Sequence, residues 1–455
     1  RMLVNLILDR EYVREPFDRT TTVLDASDRT QPSWVSSLRG VLGLPPLEGM
    51  EAIQAVAEKV SPPPPAQVSR RRAIGLGVAG AAAIAVAGAG GAALVLRGRA
   101  GHTTAQATPT GTPPVHDPQL LWFYDTLDPN SALRVGISGS PVTDGTTVYV
   151  GTNDGSIHAL DSRTHKSIWN HRETGGTTVR GVAIAQGVVY GGAEGVGLYA
   201  RAAASGTVQW ESTAPTSSAS VVVPVGDHLY VTNYKLAFVV AIDANTGNDL
   251  FALSVSAHVV LTASIPVIAD GMLYAGDSSG YAYAFDASRD AAPIWRVDVG
   301  SAAATNDNSV FSSVAVADGT AYFNSEDGAI YALDVRNGAR RWRQPVKSGY
   351  ASTPLVSDGV VFVGASDNKV YALDGATGKV RWSYSTGGRV RSSPVVADGV
   401  VYVGSDDKQV YALDAKSGTL VRTYKTGDVI VSKPLILNDV LYVTGLDGFV
   451  YAFRR

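Results

Sequence analysis

The sequence predicts an all-β fold, an eight-bladed β-propeller of four-stranded antiparallel blades, over residues 119–455. The composition favours many short strands joined by tight turns, because 48 glycines and 20 tyrosines stand against only 3 methionines. Three alternating apolar runs and a fourth run with an aromatic residue recur about every 40 residues. A repeat of this length with four strands is typical of a propeller, in which each sheet buries its faces against its neighbours.

Eight copies are counted from the aromatic residue in the second strand of each repeat. These residues are separated by 41, 40, 44, 48, 40, 40 and 40 positions, and they are Tyr149, Tyr190, Tyr230, Tyr274, Tyr322, Phe362, Tyr402 and Tyr442. The chain enters the repeats with a lone fourth strand at residues 120–124 and leaves them after three strands at Phe453. We therefore expect the first strand to complete the last blade and close the ring.

The turn after the third strand carries a motif, which is most complete at residues 372–382 as A-x-D-x-x-x-G-x-x-x-W. In this motif the sequence resembles the tryptophan-docking repeats of quinoprotein-type propellers, the pyrroloquinoline-quinone-like (PQQ-like) repeat family. The aspartate is expected to cap the turn, the glycine to adopt positive φ, and the indole to pack between adjacent sheets. The residues predicted to dock the blades are Trp122, Trp169, Trp210, Trp295, Trp342, Trp382, Asp161, Asp243, Asp286, Asp334, Asp374, Asp414, Gly338, Gly378 and Gly418.

Three copies depart from the motif. His165 stands in place of the turn glycine in the first copy, and Arg201 and Ala202 alter the second. Arg422 stands where a tryptophan is expected in the seventh. We expect the blades at these positions to dock less tightly.

Residues 1–118 divide into four segments. Residues 1–60 carry no motif and are expected to be a cytoplasmic segment of unknown role, and residues 61–72 form a spacer with four consecutive prolines and three arginines. The uncharged residues 73–96 would span about 36 Å as a helix, which predicts a single transmembrane helix. The excess of basic residues before this helix favours a cytoplasmic N-terminus and an extracytoplasmic propeller. Residues 97–118 are predicted to be a Thr/Pro-rich linker.

Two alternatives remain open for the apolar segment. Residues 69–74 resemble a twin-arginine export signal, with a possible cleavage site at residues 105–107, and this route also exports the propeller. An Ala/Gly-rich buried helix is the second alternative, and the flanking arginines and proline spacer fit it poorly.

The sequence limits the chemistry that the chain can perform. It contains no cysteine, which excludes disulfides, thiolate metal sites and cysteine nucleophiles, and its formal charge of −3 gives no bulk support for nucleic-acid binding. The histidines are scattered and the hairpin carboxylates lack the spacing of a calcium loop, so we predict no cofactor and no metal. The acidic residues between second and third strands are interpreted as turn residues.

The candidate ligand surface is the rim where interblade loops meet the hairpins between second and third strands. Arg180, Arg391 and Lys433 lie near the starts of innermost strands, where they are expected to make the mouth of the channel positive unless they are ordinary solvated charges. The longest interblade loop, with Asn306, Asp307 and Asn308, is the second candidate.

The repeats predict the fold more sharply than the activity. The order of spacer, membrane helix and propeller is similar to that of actinobacterial receptor-like serine/threonine kinases, but no kinase motif is present. The propeller lipoproteins of outer-membrane β-barrel assembly are also similar, although a chain without cysteine cannot carry their anchor. The sequence predicts a bacterial, membrane-anchored, extracytoplasmic and non-catalytic propeller, a sensor or scaffold for a protein or cell-envelope ligand. One alternative is the sensor part of such a kinase. The other is a PQQ-dependent dehydrogenase, and the short loops disfavour this second alternative.

Overall fold

The propeller is seen in a computed structural model, which describes residues 115–127, 135–172, 179, 181–193, 197–212, 221–232, 239–253, 264–277, 280–299, 314–325, 327–347 and 352–455. All secondary-structure elements in these residues are β-strands, and the 32 strands form eight four-stranded sheets. Every strand pair is antiparallel. The prediction of an all-β, eight-bladed propeller is confirmed.

We number the blades by their innermost strands. The strands of the first four blades are β2 (Val142–Thr143), β3 (Thr147–Gly151), β4 (Ser156–Asp161) and β5 (Ser167–Arg172) in blade 1; β6 (Val182–Ala185), β7 (Val188–Ala193), β8 (Gly197–Ala202) and β9 (Val208–Glu211) in blade 2; β10 (Val222–Val225), β11 (His228–Thr232), β12 (Val239–Asp243) and β13 (Asp249–Leu253) in blade 3; and β14 (Val267–Ala269), β15 (Met272–Gly276), β16 (Tyr281–Asp286) and β17 (Trp295–Asp298) in blade 4.

The remaining blades follow the same order from the channel outwards. Their strands are β18 (Ala315–Ala317), β19 (Thr320–Ser325), β20 (Ala329–Asp334) and β21 (Arg340–Pro345) in blade 5; β22 (Leu355–Ser357), β23 (Val360–Gly364), β24 (Lys369–Asp374) and β25 (Val380–Ser385) in blade 6; β26 (Val395–Ala397), β27 (Val400–Gly404), β28 (Gln409–Asp414) and β29 (Leu420–Lys425) in blade 7; and β30 (Leu435–Leu437), β31 (Val440–Thr444), β32 (Phe449–Arg454) and β1 (Leu120–Asp125) in blade 8.

Blade 8 closes the ring with both ends of the described chain. Strand β1 pairs with β32, with Trp122 opposite Ala452 and Asp125 opposite Phe449. The amide of Thr126 continues this pairing by donating to the carbonyl of Gly448. The predicted closure is therefore present, and the middle strands of blade 8 have partners on both sides.

The hydrophobic core lies between the sheets. In the second strand of blade 6, β23, every residue is buried, whereas the outermost strand β25 has only exposed and half-buried side chains. The buried residues form eight clusters, and each cluster joins two adjacent blades. The blades thus depend on each other for burial of apolar surface, which is the main stabilising contribution to the fold.

The two ends of the propeller are built differently, and we name them for their connections. One end, the turn rim, carries the turns between first and second strands and the turns between third and fourth strands. These turns contact each other; in blade 7, for example, the Ala415 amide donates to the Gly399 carbonyl. At the hairpin rim, interblade loops that the structure describes meet the hairpin between the second and third strands of the next blade. There the Asp406 amide donates to the Arg389 carbonyl.

The segments predicted before the propeller fall outside the described residues. These are the cytoplasmic segment 1–60, the spacer 61–72, the membrane helix 73–96 and the linker up to residue 114. Within the part of the chain that the structure describes, no helix has both the length and the apolar character needed to cross a membrane.

Candidate functional site

The turn rim docks each blade to its neighbour through an indole. In blade 6, the Asp374 carboxylate accepts a hydrogen bond from the Thr377 amide, and Gly378 follows with φ of 72°. The Trp342 indole of blade 5 donates from Nε1 to the Gly375 carbonyl at 2.9 Å. A Cβ atom on Gly378 would lie 2.6 Å from this indole. Glycine therefore provides both the left-handed turn and a flat surface for the ring.

The same contact recurs at five blade interfaces. In each case an indole Nε1 donates over 2.7–3.0 Å to the carbonyl of the residue that follows the aspartate position. The pairs are Trp169 with Ala203, Trp210 with Ala244, Trp295 with Val335, Trp342 with Gly375 and Trp382 with Ala415. Each hydrogen bond satisfies a largely buried donor, and such a bond contributes about 1 kcal/mol.

The aspartates of the turn rim cap the turns on which the indoles lie. All six accept a hydrogen bond from a backbone amide two or three residues further along; they are Asp161, Asp243, Asp286, Asp334, Asp374 and Asp414. Hydrogen bonds from Arg381 and Thr377 lower the pKa of Asp374 to about 2. Similar donors lower the pKa of the other five carboxyls, so all six are charged at neutral pH.

The interface between blades 8 and 1 departs from this arrangement at His165. His165 keeps the left-handed φ of 61° that glycine has elsewhere, but its imidazole stacks against the Trp122 indole with 4.7 Å between ring centroids. The buried Trp122 Nε1 has no hydrogen-bond partner among the described residues. A side chain at the glycine position therefore takes the place of the indole-to-carbonyl bond with a ring stack. That this interface docks less tightly stays a prediction.

The interface between blades 7 and 8 lacks both halves of the motif. Arg422 stands opposite Ala412, in the register that Trp382 has opposite Ala372 in the preceding blade. Blade 8 has no turn after its third strand, because β1 comes from the other end of the described chain. Arg422 instead donates from Nη1 to the Gln119 side-chain oxygen at 3.0 Å.

A second set of interblade contacts lies at the hairpin rim, and the sequence analysis did not predict it. Asp407, in the hairpin of blade 7, accepts a hydrogen bond from the Tyr411 hydroxyl at 2.5 Å. The Gly387 amide of the incoming loop donates to the Asp407 carboxylate at 2.8 Å and to the Tyr411 hydroxyl at 3.1 Å. Burial and the neighbouring carboxylate raise the pKa of Tyr411 to about 12, so the hydroxyl remains a donor.

The Asp–Tyr pair repeats around the hairpin rim with a readable signal, D-x-x-x-Y. Its further members are Asp327 with Tyr331, Asp367 with Tyr371 and Asp447 with Tyr451, and Asp277 pairs with Tyr283 at a longer spacing. In blade 5, Arg343 also bonds both members of the pair. In blade 1, His158 takes the tyrosine position. Asp327, Asp407 and Asp447 each accept a hydrogen bond from the backbone amide two residues further along, as the interpretation of turn residues expected.

The candidate cations of the hairpin rim differ in their surroundings. Arg391 donates from Nε to both oxygens of Asp406 at 2.9 and 3.1 Å, so this ion pair neutralises its charge. Lys433 is exposed and forms no ion pair with a carboxylate of the described residues, and its amide is fixed by the Ser140 hydroxyl at 2.9 Å. Protein surrounds the ammonium closely enough that desolvation lowers its pKa. Of these two cations, Lys433 is the one available to a ligand.

Other predicted rim residues lie outside the described residues. These are Arg180 and the loop residues Asn306, Asp307 and Asn308. Within the described ranges, no three metal-ligating side chains come close enough together to hold a metal ion.

The family model described as "Outer membrane protein assembly factor BamB" matches residues 78–232, 193–355, 278–395 and 346–455. A curated relative of that name from Yersinia pestis is 24% identical over 229 residues, which cover 46% of this chain and 56% of the relative. The chain spans about half the length of the curated relatives it matches.

Solved structures show the same fold at low identity. BamB from Moraxella catarrhalis superposes with a TM-score of 0.59 at 19% identity, over 74% of this chain and 99% of that one. The quinohemoprotein alcohol dehydrogenase from Comamonas testosteroni gives 0.60 at 16% identity, over 73% and 76% of the two chains. Because the family model covers every blade, this chain belongs to the PQQ-like β-propeller repeat family whose model is named for BamB.

Proposed function

We propose that this chain is a non-catalytic binding module, a sensor or scaffold that recognises a protein or cell-envelope ligand through its hairpin rim. The propeller would lie outside the cytoplasm, held to the membrane by a helix at residues 73–96. A protein ligand is supported by the family, whose model is named for an outer-membrane protein assembly factor.

One observation carries the proposal: the rim carboxylates that could act as bases or calcium ligands are already engaged in hydrogen bonds to the hairpins and to the incoming loop. The Asp407 carboxylate accepts bonds from Tyr411, Gly387 and the Gln409 amide. The Asp327 carboxylate binds Tyr331, Arg343 and the Ala329 amide. A carboxylate with three donors is stabilised as a charged acceptor and is a poor proton carrier.

The rim still presents exposed side chains on a rigid base. Lys433 follows Ser432, whose buried hydroxyl donates to the Thr444 carbonyl. Arg389 is exposed, and it lies on the loop that contacts Asp406. Arg180, Asn306, Asp307 and Asn308 complete the proposed surface. The hydrogen bonds of Ser432 and Asp406 hold the described part of this surface in place, which lowers the conformational entropy lost on binding and favours recognition.

Site-specific photo-crosslinking in native membranes tests the rim. A photoreactive residue placed at position 433 should give a discrete adduct with a partner, and the Arg389→Glu substitution should reduce its yield. The matched control is position 416 on the turn rim, where Lys416 is also exposed. Adducts of equal yield and size at both positions, or no adduct at position 433, would remove the hairpin rim as the binding surface.

The membrane anchor and the kinase alternative are tested by the intact mass of the native protein extracted from its source membranes. A mass that exceeds residues 1–455 by a kinase domain would make the propeller the sensing part of a receptor kinase. A soluble form trimmed near residue 107 would contradict the anchor. The dehydrogenase alternative predicts dye reduction after reconstitution with quinone and calcium, and we expect none.

A further inference from the structure

A groove of about 460 Å³ lies at the interface between blades 7 and 8. One wall is the outermost strand of blade 7, with Val421, Arg422 and Lys425, and the other is the segment that leads into β1, with His116, Asp117 and Gln119. All of these residues are described by the structure, and none of them belongs to the hairpin-rim surface proposed above.

The groove lies where other interfaces hold a docking indole. Arg422 has the register of the docking tryptophan on β29, and blade 8 supplies no glycine-containing turn for a ring to cover. The lead-in residues 116–119 take the place of that turn. Arg422 thus borders the groove from the strand position at which the preceding blade carries its docking tryptophan.

The polar groups that line the groove are predominantly donors. The Arg422 guanidinium bonds the neutral amide oxygen of Gln119, and no ion pair joins Arg422 or Lys425 to a carboxylate of the described residues. The Asp117 carboxylate is occupied by backbone amides, because Oδ1 accepts from Gln119 and Oδ2 from Lys425, both at 2.8 Å. The groove is thus lined by two cations, Arg422 and Lys425, and by one carboxylate, Asp117, that is already hydrogen-bonded. The lining therefore has a net positive charge.

We propose that this groove binds a small ligand that carries a compact oxyanion, a phosphate or a carboxylate. The planar Arg422 guanidinium would bind two oxygens of the anion and Lys425 would provide a second charge, which are the geometries that each side chain favours. Val421, half exposed at 52%, offers an apolar contact for the body of the ligand. The volume of the groove falls within the range of small-molecule sites.

Calorimetric titration of the full chain with inorganic phosphate and with citrate tests the proposal and separates the two oxyanions. We expect saturable binding of one anion per chain in 150 mM chloride. The Arg422→Gln and Lys425→Gln variants should each lower the association constant by about tenfold or more, since each removes a charge-assisted hydrogen bond. Lys379→Gln, which removes an exposed cation outside the groove, should leave the binding unchanged.

A filling variant separates ligand binding from the structural role of Arg422. Arg422→Trp places at this register the residue that other blades carry there, so it should fill the groove and lose anion binding while the variant still unfolds cooperatively. No saturable heat with either anion would overturn the proposal. Binding that survives in Arg422→Trp, or that Lys379→Gln weakens as much as Lys425→Gln does, would also overturn it.

Discussion

The Trp122 indole stacks on His165 at the closing interface, whereas the Trp342 indole lies on Gly378 and donates to the Gly375 carbonyl. The two tryptophans have equivalent places in their blades, and they differ in the residue that the ring covers. This pair of interfaces provides a natural comparison of docking with and without the buried hydrogen bond.

Phenylalanine substitution measures the value of that bond. Trp342→Phe keeps an aromatic ring but leaves the Gly375 carbonyl without its indole donor, and it should lower the free energy of unfolding by about 1–2 kcal/mol. Trp122→Phe removes a buried N–H that has no described partner, so its cost should be clearly smaller. Denaturant unfolding of both variants measures the difference, and equal losses would show that the indole bond contributes nothing.

His165→Gly should restore the standard docking geometry between blades 8 and 1. Glycine adopts the φ of 61° without strain and frees the surface beside Trp122, so we expect a gain of about 1 kcal/mol in the free energy of unfolding. Near-ultraviolet circular dichroism should report the change around the indole. The reverse change, Gly378→His, should destabilise, because its Cβ would lie 2.6 Å from Trp342. A less stable His165→Gly variant would contradict this account.

Stability should fall in acid through His158, which is buried where its Nδ1 contacts the Tyr124 hydroxyl. Burial lowers the pKa of His158 from 6.5 to about 4, and the carboxylates of Asp154 and Asp125 only partly oppose this shift. The unfolded chain therefore binds the proton more readily than the folded chain does. Keeping His158 neutral therefore contributes about 3 kcal/mol to the free energy of unfolding. This contribution is fully present above pH 6.5 and is lost as the pH falls towards 4.

The measurement for His158 is chemical unfolding at several pH values between 7.5 and 4. His158→Phe should flatten the curve over this window. His228→Phe is the matched control, since that histidine is only half-buried. If the curve of His158→Phe retains the slope of the unmodified protein, the acid sensitivity originates elsewhere.

The Asp–Tyr pairs predict a local effect at the hairpin rim. Tyr411→Phe removes one of two acceptors of the Gly387 amide and one donor to Asp407, so the Gly387 amide should exchange its hydrogen faster by about tenfold. Hydrogen exchange followed by mass spectrometry on the loop measures this rate. The nearby Tyr384→Phe substitution controls for loss of a tyrosine hydroxyl and should leave the loop unchanged, and a comparable acceleration there would argue against the pair.

The fold was predictable because the chemistry of a turn and of a docking ring is local. Asp374, Gly378 and Trp382 recur at fixed spacing, and each position has one strong physical preference. The partners of those residues were less predictable, because they come from the next blade. The acceptor for Trp342 is a backbone carbonyl that carries no sequence signal. The ion pair of Arg391 with Asp406 depends on how a loop approaches a hairpin.

The pairing of β1 with β32 determines how the propeller responds to mechanical load. A pull on the chain ahead of Leu120 acts first on the backbone pairs that join these two strands, from Leu120 with Phe453 to Asp125 with Phe449. We therefore expect blade 8 to be the first part of the ring to open when the load acts between β1 and β32, because each of the other seven blades is built from one continuous stretch of chain. An anchor at the N-terminal side would make blade 8 a tension-sensitive closure of the ring.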